Sequence, residues 1–183
     1  MRMKVKDMDR KINTDKIKHI ALTAMLFALA LVLSLVESVI PIPAPVPGIR
    51  LGLSNIVVMF TLFFLKWRSA FAVAALKSLF VFITRGAVAG TLSLSGGILS
   101  LLAMVFLLLT SKNRLSWLLI SISGAVFHNI GQISAASIIL GTPLWFYLPF
   151  LLLFGIIAGS VTSVLLKVSI PVFKKLNIIN QPL

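Results

Sequence analysis

Apolar residues gather in six runs along this chain, separated by short polar or basic breaks. The runs cover residues 19–38, 51–65, 69–84, 92–110, 115–140 and 144–166. A helix perpendicular to a bilayer needs about 20 apolar residues, so most of these runs are long enough to span one. The second and third are shorter, and either lean on interfacial flanks or leave part of the outer half open. Between them, Lys66, Trp67 and Arg68 suit a tight interfacial turn with snorkelling basic tips and an aromatic anchor. Residues 1–18 form a polar, basic N-terminal tail with an amphipathic tendency, read as flexible, and 168–183 a short C-terminal tail. The predicted architecture is an all-α polytopic membrane protein, a six-transmembrane-helix bundle over residues 19–167.

The link between the first two runs cannot be a helix. Pro41, Pro43, Pro45 and Pro47 alternate with Ile42, Ala44 and Val46 before Gly48. Every second backbone donor is missing, and each residue before a proline is pushed towards extended geometry. The stretch is predicted to run as a stiff polyproline-like crossing. Glu37 and Arg50 flank it with opposite charges.

Composition fixes the solvent. With 59% hydrophobic and 11% charged residues and a mean hydropathy of +1.10, the chain has too little polar surface for a water-soluble exterior. The formal charge of +13 would point to nucleic acid in a soluble protein. Here the cations stand beside apolar runs, which is a topology signal instead. With six spans and both ends in the cytoplasm, fourteen of the seventeen Lys and Arg fall on the inner side. Arg50 and Arg85 lie on the outer connections and Lys77 within a span. The expected location is therefore the cell membrane, multi-pass, with cytoplasmic termini. A cleaved signal peptide does not fit, because the first apolar run is long and no small-x-small cleavage site follows it.

The residue inventory argues against an enzyme. Asp7, Asp9 and Asp15 lie in the tail, and Glu37 is the one glutamate. No aspartate cluster is present to hold magnesium against a diphosphate. His19 and His128 have no third ligand nearby in the sequence, and cysteine is absent, so neither a metal site nor a cofactor is expected. No glycine-rich loop precedes a Lys–Ser/Thr pair, so an ATP site is not expected in this chain.

What remains is a set of polar groups at membrane depth. Glu37, Arg50, Asn55, Lys77, Arg85, His128, Asn129 and Gln132 are the candidate substrate-binding residues. A lysine at the centre of a span costs about 2.5–3.5 kcal/mol on insertion scales, so Lys77 should face a partner or water. His128 and Gln132, four apart, share a helix face. Structural readings compete: Lys77 paired with Glu37, the residues of the fifth run as interhelical glue, and the two arginines as surface charges. The segment 85–100, with Gly86, Gly90, Gly96, Gly97, Ser93 and Ser95, suits a re-entrant or flexible outer loop beside a cavity. Small residues also recur every four positions, Ala24 and Ala28 in the first run and Gly155, Gly159 and Ser163 in the sixth. Such rows serve either packing within the bundle or docking of a second membrane protein.

The stretch SLVESVIPIPAPVPGIRLGLSNIV, with GAVFHNIGQ in the fifth run, resembles the Gx transporter family. That family is often labelled heptaprenyl diphosphate synthase component I and looks related to the substrate-binding S components of energy-coupling factor transporters. The resemblance extends over nearly the whole chain. It implies a bundle in which a small-residue face on the first helix, here Ala24 and Ala28, docks onto a coupling subunit. The expected function is capture of a small solute from the outer side, delivered inward with separate ATPases. Arg50, Lys77 and Arg85 against Glu37 favour an anionic solute. The alternative is a non-catalytic accessory subunit of an isoprenoid, quinone or redox assembly; a membrane enzyme is the least favoured reading.

Overall fold

The computed structural model describes residues 2–39, 50, 52–111 and 115–175. Six α-helices follow one another: α1 Arg2–Val39, α2 Leu53–Phe64, α3 Trp67–Arg85, α4 Ala87–Ser111, α5 Trp117–Leu140 and α6 Leu148–Lys175, with a 3₁₀ turn at Trp145–Tyr147 before α6. No strand occurs among the described residues. The fold is the expected all-α membrane bundle. The prolines of the predicted crossing, 41–47, lie outside the described residues.

Five of the helices contain stretches long and apolar enough to cross a membrane: Lys16–Val39, Trp67–Arg85, Ala87–Ser111, Trp117–Leu140 and Trp145–Val168. The exception is α2. Its 12 residues reach about 18 Å at 1.5 Å per residue, little more than half of a hydrocarbon core of about 30 Å. Yet α2 is the central element. It touches α1, α3, α4, α5 and α6, while α3, α4, α5 and α6 pack each against the next. Val58, Met59, Leu62 and Phe63 of α2 sit in one apolar core with Ala30 of α1, Val73 of α3, Leu101 of α4, Ile120 of α5 and Leu166 of α6. A helix surrounded by others has no lipid-facing side and no need to match the bilayer thickness. Where α2 is missing, a second, smaller core of Leu92, Ile133, Ala136, Leu144 and Leu151 joins α4, α5 and α6.

Two sequence expectations change. The basic stretch 2–18 is the first part of α1, helical rather than irregular. Its Lys and Arg residues bring no helix breaker, and the apolar span that follows gives it a template to extend. The glycine-rich segment 85–100 is no loop either. Gly86, at φ +89°, makes the whole connection between α3 and α4, and α4 starts at Ala87. The other glycines of the segment lie inside α4 and serve contact. A Cβ on Gly90 would fall 2.6 Å from Cβ of Phe82, and one on Gly96 would fall 2.8 Å from both Nδ1 and the carbonyl oxygen of His128.

The small-residue row of α6 packs inward. A Cβ on Gly159 would lie 2.6 Å from Cα of Ile122, one on Gly155 2.7 Å from Nδ2 of Asn129, and Ser163 is buried. The row of α1 faces outward. Leu26, Ala30, Ser34 and Glu37 form the buried stripe of α1, whereas Ala24 and Ala28 are exposed on its far side.

Adjacent glycines of α4 give opposite expectations. Gly96→Ala must push His128 or the backbone of α5 aside, and should cost about 1–3 kcal/mol of stability by overpacking. At Gly97 a Cβ meets only Cβ of Ala74 at 3.7 Å, an ordinary contact, so Gly97→Ala should leave stability nearly unchanged. Thermal unfolding of the two variants in detergent checks the pair; equal melting temperatures would contradict the close α4–α5 approach.

Candidate functional site

The site begins at the N-terminus of α2. The first N–H groups of a helix have no partner within it, and at membrane depth no bulk water supplies one. Here the partner is Glu37, carried by the last turns of α1 and 1% exposed. Its Oε1 accepts from the Gly52 N–H at 2.5 Å and from the Leu53 N–H at 3.4 Å. A carboxylate here also complements the positive end of the helix dipole. Gly52 stands at φ +86° with the ring of His128 against it, where a Cβ would fall 3.2 Å from His128 Cδ2. Glycine meets both demands, a left-handed backbone and the absence of a side chain.

The residue before this turn is held from α5. The Gln132 side chain pairs with the Arg50 peptide group: Arg50 N–H donates to Oε1 at 3.0 Å, and Nε2 donates to the Arg50 carbonyl at 3.4 Å. This fixes which end of the amide is which. Nε2 of Gln132 also lies 2.6 Å from Nε2 of His128, so the imidazole nitrogen there accepts, and the ring carries its proton on Nδ1. The i, i+4 pair read from the sequence is thus a working contact, and Arg50's backbone orders both members.

Around this turn lies a polar cavity lined by Glu37, Arg50, Lys77, Arg85, His128 and Gln132, together with Ser34, Ser54 and Ser93. Its free volume is about 20 Å³, room for a water molecule or two. Lys77, at the middle of α3, is 2% exposed and makes no hydrogen bond or ion pair to a described residue. The proposed Lys77–Glu37 bridge is therefore not formed: the carboxylate turns to the α2 backbone instead. Arg85 donates through Nη2 to the Ser34 carbonyl of α1, while its Nη1 is buried without a partner. Six of the eight candidate residues thus converge.

The other two diverge. Asn55 donates from Nδ2 to Ser100 Oγ at 3.2 Å, and borders a second, smaller cavity with Gly52, Met59, His128 and Thr162. Asn129 turns to α6, where Nδ2 donates to the Leu151 carbonyl at 2.6 Å. One residue after His128, it points about 100° away around the helix. Of the cavity's serines, Ser93 lies in the segment read from the sequence as flanking a cavity, whereas Ser34 and Ser54 carried little signal. The i, i+3 spacing of Ser34 to Glu37 could have flagged one of them. Among the described residues no group of three His, Cys, Asp or Glu could hold a metal ion.

The arrangement is a short helix whose positive end, buried Lys77 and half-buried Arg50 and Arg85 border one cavity. Searches among curated proteins and among solved structures gave no match. A profile of one protein family, described as heptaprenyl diphosphate synthase component I, matches residues 26–168. That span includes every residue lining the cavity and most of the transmembrane bundle. The chain belongs to the heptaprenyl diphosphate synthase component I family.

Proposed function

We propose that this protein is a substrate-binding membrane component of a transporter, similar to the S components of energy-coupling factor systems. It captures a small anionic solute from the outer side, and a separate ATP-driven module completes uptake. The carrying observation is Lys77: a cation buried in mid-span, without a partner among the described residues, beside Arg50, Arg85 and the N-terminus of α2 in one polar cavity. Burying a charge without a partner is costly, and a bundle held only by packing would gain from an apolar residue there. The guanidinium groups of Arg50 and Arg85 suit carboxylate or phosphate. His128 and Gln132 then orient a neutral part of the solute, with Asn55 one layer below.

In this reading the exposed Ala24 and Ala28 of α1 form the face for a transmembrane coupling subunit, since small residues let backbones approach closely. The protein itself performs no chemistry. A second reading, a non-catalytic accessory subunit of an isoprenoid or quinone assembly, draws on the family description and on the internal partners that Gln132 and Asn129 already have.

Solute identity is the direct test. Mass spectrometry of small molecules that copurify with the protein should find a carboxylate or phosphate compound, and a cation would refute the anion site. Lys77→Met and Arg85→Gln should each weaken its binding about tenfold or more, equivalent to ~1.4 kcal/mol. Native affinity in both would place the solute elsewhere. Copurifying ATPases separate the two readings. Loss of such a complex in the Ala24→Trp/Ala28→Trp variant, with thermal stability retained, locates the docking face.

Orientation has its own test. With the termini in the cytoplasm, a cysteine replacing the exposed Thr142 should react with an impermeant thiol reagent in intact cells, and one replacing Asn113 should not. The absence of native cysteine keeps the background clean. Labelling at position 113 alone would invert the bundle.

A further inference from the structure

The cavity contains one negative group, and it is already engaged. Glu37 accepts two backbone N–H groups at the positive end of α2, in the position a bound oxyanion would take at such a helix end. Meanwhile the cationic donors around it are only partly matched. Lys77 has no partner among the described residues, and Nη1 of Arg85 is buried without an acceptor. With about 20 Å³ free, no metabolite fits beside the carboxylate. Something must leave before a solute can enter.

We propose that Glu37 is an internal stand-in for the ligand: its carboxylate occupies an oxyanion seat made by the Gly52 and Leu53 N–H groups and flanked by Lys77, and an incoming carboxylate or phosphate takes the seat by displacing it. This deepens the solute-binding reading and rests on it. The exchange is chemically even at the helix end, since one oxyanion replaces another on the same two donors. It gains on the cationic side, because a ligand carrying further oxygens can also reach Lys77 and Nη1 of Arg85, to which Glu37 makes no hydrogen bond. The seat lies level with His128 and Lys77, near the middle of α5 and α3, so the oxyanion belongs to a solute inside the bundle and not to a lipid headgroup. Because Glu37 and Ser34, the acceptor of Arg85, share the last two turns of α1, displacement also loosens α1 from α2 and α3.

The test uses the full chain in phosphatidylcholine nanodiscs, with acetate as the probe. Glu37→Ala empties the seat and should lower the melting temperature. Acetate should restore it saturably, beyond the effect of chloride at equal ionic strength, while the unmodified protein shows no such acetate-specific gain. Adding Lys77→Met to Glu37→Ala should remove the rescue. No acetate-specific rescue, or rescue that survives loss of Lys77, would overturn the proposal. If Glu37→Ala does not fold, Glu37→Gln decides. It keeps a side-chain acceptor without the charge, and should bind inorganic phosphate about tenfold more tightly than the unmodified protein. Equal or weaker binding overturns the idea. Acetate rescue needs neither a natural solute nor an ATPase, so a failed transport assay and a failed seat are separate results.

Discussion

A helix that starts inside a membrane must find partners for its first N–H groups from other parts of the protein. Each such group left bare in hydrocarbon costs several kcal/mol, which is why irregular backbone at this depth survives only when enclosed. In this bundle the requirement falls on α2. Glu37 reaches from α1 to the Gly52 and Leu53 amides, and Gln132 reaches from α5 to both sides of the Arg50 peptide. Much of the polar interior follows from this. The carboxylate is itself a buried charge, and it is tolerable because helix dipole, hydrogen bonds and nearby cations surround it.

The same groups that stabilise the turn also shape the candidate site. A capped half-helix concentrates positive potential in the interior, and Lys77, Arg50 and Arg85 add to it more than one carboxylate offsets. Close packing then holds the arrangement in place. Gly96 brings α4 against His128, and Gly52 brings the turn against the other edge of the same ring, so the imidazole is clamped between two backbones. Its partner Gln132 has its amide orientation set by Arg50. The polar residues of the cavity are thus ordered in series, from backbone to amide to imidazole.

Much of this was legible in the sequence, and the failures have physical reasons. Apolar run length alone shows the six helices, and i, i+4 spacing joins His128 to Gln132. Asn129 misleads because adjacency in sequence is a turn of about 100° on a helix, enough to send its amide to Leu151 instead. The glycines of α4 mislead because in water they mark breaks, whereas between membrane helices they permit contact. Glu37 and Lys77 look like a pair by charge. Only the position of the α2 N-terminus shows that the carboxylate has a better claimant. Ser34 and Ser54 escape notice because serines and threonines in these helices often bond their own backbone, as Thr61 does to Val57 and Ser78 to Ala74.

The distance in sequence between Arg50 and Gln132 bears on how the protein is made. As the chain emerges, Glu37 is present before α2 and can cap it at once, 15 residues away. The clasp on Arg50 waits for α5, 82 residues later. Until then α2, about 18 Å long, has its main neighbours α1 and α3 but not the full ring of helices around it. The contacts that enclose α2 are therefore complete only once α5 and α6 have been made. The order of synthesis is not the order in which the polar interior becomes complete.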